Sequence, residues 1–312
     1  MTIHETPEKP PSCPVCQSPA IREKPFQYVY RERPLRALCC GRCGIIFIWP
    51  QPSSDELKGL YSSEYFEGGD FRCGHEGGYC DPETLARLTD PGLLLRIREN
   101  YPGNRFLEIG CAGGALLNAA RKLGYTVQGV ELSEDACRMA RESFGLTVFA
   151  GDVIDAHFPD GSFDVVFMGD VIEHLPDPVR TIREVHRILR AGGVLVLGVP
   201  SQTNSLFSRA GFLLYTALGK RATVVLPPYH LFEFRPASLR FLIGQCGFRV
   251  AELTQGLIPP HRINLRGPAL QRLGKKLFQY PNWLLTGLFG VCGDRLAAFA
   301  VKETPGELRP LG

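Results

Sequence analysis

Residues 107 to 116, Leu-Glu-Ile-Gly-Cys-Ala-Gly-Gly-Ala-Leu, set the carboxylate of Glu108 two positions before a run of glycine and other small residues. Gly110 and Gly114, with Cys111, Ala112 and Gly113 between them, leave room for a ligand against the backbone where an apolar strand turns into a helix. A pyrophosphate, the usual guest of such a turn, would be repelled by Glu108. A ligand carrying an ammonium and a sulfonium would be attracted instead. Glu131 closes the next strand-like segment, where a carboxylate can accept both hydroxyls of a ribose. Asp152, in Ala-Gly-Asp-Val, closes a third, where an acceptor can meet an adenine amino group. A fourth segment runs into Met-Gly-Asp-Val-Ile-Glu-His-Leu-Pro-Asp-Pro, residues 168 to 178. Any one of these acids alone would read as a solvated loop charge. Their recurrence at the carboxyl ends of successive strands marks one binding edge.

A second chemistry-bearing pattern lies near the N-terminus. Cys13-Pro-Val-Cys16 and Cys40-Gly-Arg-Cys43 are separated by a short, alternating, β-prone stretch. Tetrahedral zinc takes four thiolates at ~2.3 Å, and each C-x2-C pair puts two sulfurs on one tight turn. Cys13, Cys16, Cys40 and Cys43 are the expected ligands of a structural zinc. Cys39 is the ambiguous neighbour, since Cys40 has the better spacing to Cys43. Four cysteines leave no open position for catalysis at the metal.

These residues need elements to hold them. From Arg105 onward, short apolar segments alternate with amphipathic ones, which implies a parallel sheet covered by helices on both faces. Ser133 before Glu134 and Asp135, and Asp177 before Pro178, are helix starts; Gly145 and the pair Gly192-Gly193 are expected to end helices. Ser53 or Ser54 can cap a short helix, and Asp90-Pro91 can open another. The expected fold is α/β, a doubly wound, mostly parallel seven-stranded Rossmann-like sheet with a small N-terminal zinc-binding unit. The expected organisation is a zinc-ribbon-like unit at 1–50, a helical linker or cap at 51–104, a catalytic domain at 105–303 and a tail at 304–312. Within that domain, 201–229 and 254–292 read as insertions.

With 44% hydrophobic residues, 21% charged residues and a net charge of +3, the chain is not built chiefly around a phosphate backbone. Its start, Met-Thr-Ile-His-Glu-Thr-Pro, holds no apolar signal-peptide core, and no stretch approaches the ~20 apolar residues of a spanning helix. Eleven cysteines without an export signal fit a reducing cytoplasm.

Residues 105 to 200 resemble the class I S-adenosylmethionine-dependent methyltransferases, in particular the group that includes the ubiquinone-biosynthesis O-methyltransferases. Leu-Glu-Ile-Gly-Cys-Ala-Gly-Gly is similar to their first motif, except that Ala112 stands where the middle glycine is usual. That replacement should cost little if the φ of Ala112 is negative. Gly-Val-Glu-Leu-Ser, Gly-Asp-Val, Glu-His-Leu-Pro-Asp-Pro and Ile-Leu-Arg-Ala-Gly-Gly-Val-Leu-Val-Leu-Gly-Val-Pro match later motifs in order. The resemblance covers roughly residues 53 to 302, weakly over the two insertions. It implies that Glu108 and Gly110 hold the methionine portion of S-adenosylmethionine, with Ala112 and Gly114 in the same turn. Glu131 would hold the ribose beside Leu132, and Asp152 with Val153 the adenine. It also implies a late helix and strand at 230–253 and an antiparallel last strand at 295–303.

The same resemblance places His174 on the acceptor side, where an imidazole can take the proton of an acceptor hydroxyl. Asp170 and Glu173 complete an Asp-x-x-Glu-His cluster. In the quinone O-methyltransferases, similar Glu-x-x-Glu-His clusters can hold a divalent cation, and the shorter Asp170 puts that version in question here. Cap and pocket wall is the other reading of Glu173 and His174. The expected activity is methyl transfer to a small molecule, glycan or lipid-like intermediate.

Three rival readings exist. An rRNA methyltransferase would use Arg31, Arg33, Arg36 and Arg42 with Tyr28 and Tyr30 as an RNA face. Residues 1–50 carry only seven Lys/Arg against four acids, however, so nucleic acid is not the expected partner. Sugar C-methyltransferases also begin with cysteine-rich zinc units, but normally add a large C-terminal domain for which 312 residues leave no room. A non-catalytic adaptor would have no need of the intact acids. The insertions combine apolar runs with cations: residues 254–302 hold seven Lys/Arg against Asp294 alone. They are expected to cover the acceptor or to meet an anionic membrane surface.

Overall fold

A computed structural model of the chain describes residues 12–53, 55–57, 91–224, 230–257 and 269–303. Three antiparallel strands, β1 (Ile21–Tyr30), β2 (Arg33–Cys40) and β3 (Ile46–Trp49), follow the first cysteine pair. Ser53 then starts a helical turn at 55–57: its hydroxyl accepts from Glu56 N, and Glu56 returns a carboxylate to Ser53 N. The structure resumes with helix α1 (Pro91–Asn100), which opens on its proline as expected. Asp90 lies outside the described residues.

The α/β unit then alternates. Strand β4 (Arg105–Ile109) leads to α2 (Ala115–Lys122), β5 (Thr126–Glu131) to α3 (Glu134–Phe144), and β6 (Val148–Ala150) to β7 (Phe163–Gly169). A 3-10 turn at Ile172–His174 precedes α4 (Pro178–Ile188) and β8 (Leu189–Pro200). Later come α5 (Leu206–Ala217), β9 (Ala222–Val224), β10 (Phe232–Glu233), α6 (Pro236–Gln245), β11 (Phe248–Gly256), α7 (Ala269–Phe289) and β12 (Arg295–Lys302). The large sheet runs β11-β12-β8-β7-β4-β5-β6. All pairs are parallel except those of β12, which lies antiparallel between β8 and β11. Strand order reverses at β4, so the crevice beyond its carboxyl end is where a doubly wound sheet binds its ligand.

Both faces of this sheet are buried, and side-chain alternation sorts them. Phe106, Val165, Val194, Val196 and Phe299 pack under α1, α2 and α3 with Leu94, Ile97, Leu117 and Ala140. Leu107, Ile109, Val166 and Met168 face the opposite way, into a core that continues through Leu239 and Leu242 to Leu35 and Phe47 of the N-terminal sheet and to Cys13 ahead of it. Losing a ring such as that of Phe106 from so closed a core would cost about 3–5 kcal/mol. Beneath the sheet, Asp164 accepts from Asn104 N (3.0 Å), Arg105 N (2.9 Å) and Arg190 Nε (2.7 Å), tying the start of β4 to β7 and β8.

The caps are in place. Ser133 accepts from Ala136 N, Asp177 accepts from Arg180 N, and Gly145 ends α3 with φ 60°. Gly192 and Gly193 do not close a helix as expected. Helix α4 stops at Ile188, Leu189 is already extended, and the glycines lie inside β8. They fill an irregular stretch where pairing with β7 skips from Leu189 to Val194. A Cβ on Gly193 would come within 2.9 Å of Arg190 O, so the sheet requires glycine there.

The N-terminal sheet is completed from far along the chain. Its order is β10-β3-β2-β1-β9, with β9 parallel to β1 and β10 antiparallel to β3. The 201–229 segment therefore contributes a strand to the cysteine-bearing sheet.

Candidate active site

Backbone hydrogen bonds shape the turn after β4. Gly110 N and Cys111 N both donate to Val130 O, at 2.8 and 3.2 Å, and Gly114 N donates to Cys111 O at 2.8 Å. Gly110 has φ 75° and Gly114 φ 80°. A Cβ at Gly110 would stand 2.4 Å from Val171 Cγ2, and one at Gly114 would stand 2.5 Å from Leu146 Cδ1. Conformation and close approach both demand glycine at these two positions. Ala112, by contrast, has φ 44°, so the condition of a negative φ is not met. A Cβ in the left-handed region carries a strain of roughly 1 kcal/mol, and the turn keeps it there.

Two carboxylates converge on this turn. Glu108 is buried, its Oε2 accepts no hydrogen bond, and burial together with the nearby Glu131 pushes its carboxyl well above the usual range. Glu131 accepts from Ala112 N through Oε2 (2.9 Å) and from Ser133 N through Oε1 (3.0 Å). Burial raises its carboxyl too, against the lowering effect of those amides. Each of its oxygens retains a second lone pair for a further donor. Leu132, the next residue, is 60% exposed, an apolar face presented beside that carboxylate. Asp152 accepts from Ile154 N at 2.8 Å, and Val153 beside it is buried. An orphaned buried carboxylate oxygen, a turn of glycines and small residues and an exposed leucine fit a cationic ligand with an apolar part. S-adenosylmethionine meets that description.

The cluster expected to face the acceptor lies on the 3-10 turn after β7. Asp170 has φ 54°, its N–H donates to Gly198 O at 2.8 Å, and its carboxylate pairs with Arg295 of β12. Glu173 is 1% exposed, and neither carboxylate oxygen accepts a hydrogen bond; His174 Nε2 stands 3.4 Å from its Oε1. Burial and then Asp170 raise the Glu173 carboxyl to about 8. A residue missed in the sequence completes the group. The ring of His230 meets that of His174 edge to face at 5.0 Å, and its Nδ1 lies 3.6 Å from Glu233 Oε1. Burial alone would lower His230; Glu233 and Glu173 outweigh it and raise it. Donor atoms of Glu173, His174 and His230 lie within 4.8 Å of one another, close enough to share a cation, while Asp170 stands outside that group. The only trace of His230 in the sequence is its position three residues before an acid. That spacing gains meaning once the strand carrying Glu233 is paired.

At the N-terminus, the Sγ atoms of Cys13 and Cys43 stand 3.7 Å apart and those of Cys16 and Cys40 3.5 Å apart, with all four within 4.8 Å. Four sulfurs around one tetrahedral zinc would be separated by about 3.8 Å, so the cluster fits that ion. Cys39 turns its thiol toward Cys40 O and Gly44 O. It stands apart from the four, so Cys40 is the member of the set.

Residues 107–197 match the profile of a methyltransferase domain. The chain is 29% identical to the ubiquinone biosynthesis O-methyltransferase of Thiobacillus denitrificans over 168 residues, spanning 50% of this chain and 69% of that protein. It is 30% identical to the ubiquinone biosynthesis O-methyltransferase of Xanthomonas oryzae pv. oryzae over 196 residues, spanning 59% of this chain and 80% of that protein. Among solved structures, that of the [4+2]-cyclase SpnF superposes with a TM-score of 0.53 at 18% identity, covering 82% of this chain and 99% of that one. This last likeness speaks for the fold alone.

Proposed function

The chain belongs to the class I S-adenosylmethionine-dependent methyltransferases, and from that premise we propose that it O-methylates a small, glycan or lipid-like acceptor with His174 as the base. In this reading Glu108, Gly110, Ala112 and Gly114 receive the methionine portion, Glu131 and Leu132 the ribose, and Asp152 with Val153 the adenine. S-adenosylmethionine, when bound, supplies a methyl carbon on a sulfonium; its C–S bond breaks, with the electron pair going to sulfur, as the acceptor oxygen bonds to the carbon. The hydroxyl proton passes to His174. Much of the catalytic effect lies in holding the hydroxyl at attack distance, which can supply several kcal/mol.

The observation that carries the reading is the Glu173–His174 pair, a buried carboxyl 3.4 Å from an imidazole on the turn after β7. That turn faces the crevice at the switch point of strand order. Glu173 and Asp170 support the base, Glu173 from beside it and Asp170 through the turn it anchors to Arg295. The test is His174→Ala. Methyl transfer should fall by roughly 10²-fold or more, with the affinity for S-adenosylhomocysteine unchanged. Full activity in the variant would return His174 to shaping the pocket.

Two further parts belong to the same reading. Cys13, Cys16, Cys40 and Cys43 hold a structural zinc. The acceptor is presented at an anionic membrane surface, met by α5 and α7. Leu213, Leu214 and Leu218 are exposed at the end of α5, as are Leu284, Leu288 and Phe289 near the end of α7. Lys220 follows directly after Leu218 and Gly219, and Arg221 beside it pairs with Glu23. The side chains of Lys275 and Lys276 lie outside the described residues. Among the described residues, no helix is long and apolar enough to cross a membrane, so the contact would be peripheral. The rRNA alternative finds less support, because Arg31 and Arg33 pair with Glu56 and Arg36 pairs with Glu23.

A further inference from the structure

Residues 230–234 form a strap between the cysteine-bearing sheet and the acceptor side. Strand β3 starts three residues after Cys43, and its Ile46 and Phe47 pair with Glu233 and Phe232 of β10. Ile48 N donates to Leu231 O at 3.1 Å, and Leu231 N donates to Glu173 O at 2.8 Å. One backbone therefore bonds to the N-terminal sheet on one side and to the catalytic turn on the other. Leu231, Phe232 and Phe234 are fully buried, and Ser201 Oγ donates to Phe234 O at 2.6 Å, which pins the strap at its far end. A segment so enclosed has few alternative positions.

The strap delivers two side chains to the site. His230 lies against the ring of His174, and Glu233 reaches back to His230 Nδ1. Glu173, which accepts no hydrogen bond through its carboxylate, lies within reach of both His174 and His230.

We propose that the cysteine-bearing sheet is a working part of the acceptor site, because it holds His230 and Glu233 against the Glu173–His174 turn. His230 is then a positioning residue that sets the imidazole of His174. The inference rests on the reading of His174 as the base. It explains why a ribbon that could stand apart is instead completed by strands from the catalytic half of the chain. A metal held by the four cysteines would stiffen the sheet and, through β3 and β10, the strap.

The experiment uses the full chain, purified from zinc-supplemented medium and labelled with 15N at histidine. Three quantities are read: the ring nitrogen signals of His174, the affinity for S-adenosylhomocysteine by calorimetry, and transfer of tritiated methyl from S-adenosylmethionine into a metabolite extract of the deletion strain. His230→Phe keeps the aromatic bulk but loses the link to Glu233. It should shift the His174 ring signals and slow methyl transfer about tenfold or more, with affinity within about twofold. His230→Asn, which returns a polar atom near the Nδ1 position, should recover much of the rate. Cys43→Ser should reproduce the shift of the His174 signals without weakening S-adenosylhomocysteine binding. Should that variant not fold, Glu233→Gln, which keeps size and shape, serves in its place. Unchanged His174 signals and rate in His230→Phe would overturn the proposal, as would unchanged signals in both Cys43→Ser and Glu233→Gln. His174→Ala run alongside separates the two ideas: full activity there sinks the base, whereas loss there with wild-type behaviour in His230→Phe sinks only the positioning role.

Discussion

Glu131 accepts the backbone N–H of Ala112 at 2.9 Å, so the carboxylate that ends β5 also braces the glycine turn that follows β4. The residue it braces is strained, with φ 44° on an alanine. Ala112→Gly relieves that strain but gives the unfolded chain more freedom. The two effects leave a net gain of about 0.5 kcal/mol. A small rise in melting temperature is expected, with S-adenosylhomocysteine affinity held. Glu131→Ala should weaken that affinity by about 10²-fold, since ribose hydrogen bonds and the brace are lost together. Calorimetry on the two variants reads both outcomes, and retained affinity in Glu131→Ala would count against the site.

Asp164 governs acid stability. Burial alone would raise its carboxyl, but the side chain and N–H of Arg105, the Arg190 guanidinium and Asn104 N hold it below the usual carboxylate range. A carboxylate whose pKa is depressed by folding stabilises the native state above its unfolded value, near pH 4. That contribution is lost as the pH falls further. Asp164→Asn should therefore destabilise the protein by about 2 kcal/mol at pH 7, discounting for the partly exposed arginines. Denaturant melts should show the difference from wild type shrinking below about pH 4.

One equivalent of zinc should copurify with the chain, as read by metal analysis of freshly reduced protein. Cys13→Ser should lose it and loosen β1 to β3. Because β3 pairs with β10, hydrogen exchange should also rise at Leu231–Phe234, while β4 to β7 stay protected. Absence of zinc, or exchange confined to residues before Trp49, would contradict this.

Vesicle flotation tests the apolar face. Binding to phosphatidylglycerol-containing vesicles should exceed binding to pure phosphatidylcholine and weaken with salt. Trp283→Ala, and Lys275→Glu with Lys276→Glu, should each reduce it, the charge changes by about 1 kcal/mol per residue. No flotation at low salt would leave a freely diffusing acceptor.

Much of this was legible in the sequence because the information is local. The period of the apolar residues shows the alternation of strands and helices, and Ser133, Asp177 and Gly145 mark helix ends that any isolated helix would share. Glu108 and Glu131 stand in the last two positions of β4 and β5, and Asp152 two residues beyond β6, so their common edge is readable from each strand by itself. What escaped was decided by distant neighbours. Gly192-Gly193 reads as a helix stop, yet it fills an irregularity that pairing with β7 imposes. His230 becomes part of the site only when β10 joins β3, a contact between residues nearly two hundred positions apart in the chain. Asp170 sits in the right motif, but Arg295 on β12 draws its carboxylate aside.

The most direct measurement compares the metabolites and lipids of a strain lacking this gene with those of its parent. One compound in the parent should be heavier by a single methylene than its counterpart accumulating in the deletion strain, with the added methyl on oxygen. His174→Ala expressed from a plasmid should fail to restore it. A methyl group found on carbon, or identical profiles in the two strains together with no label transferred by the purified chain, would contradict it.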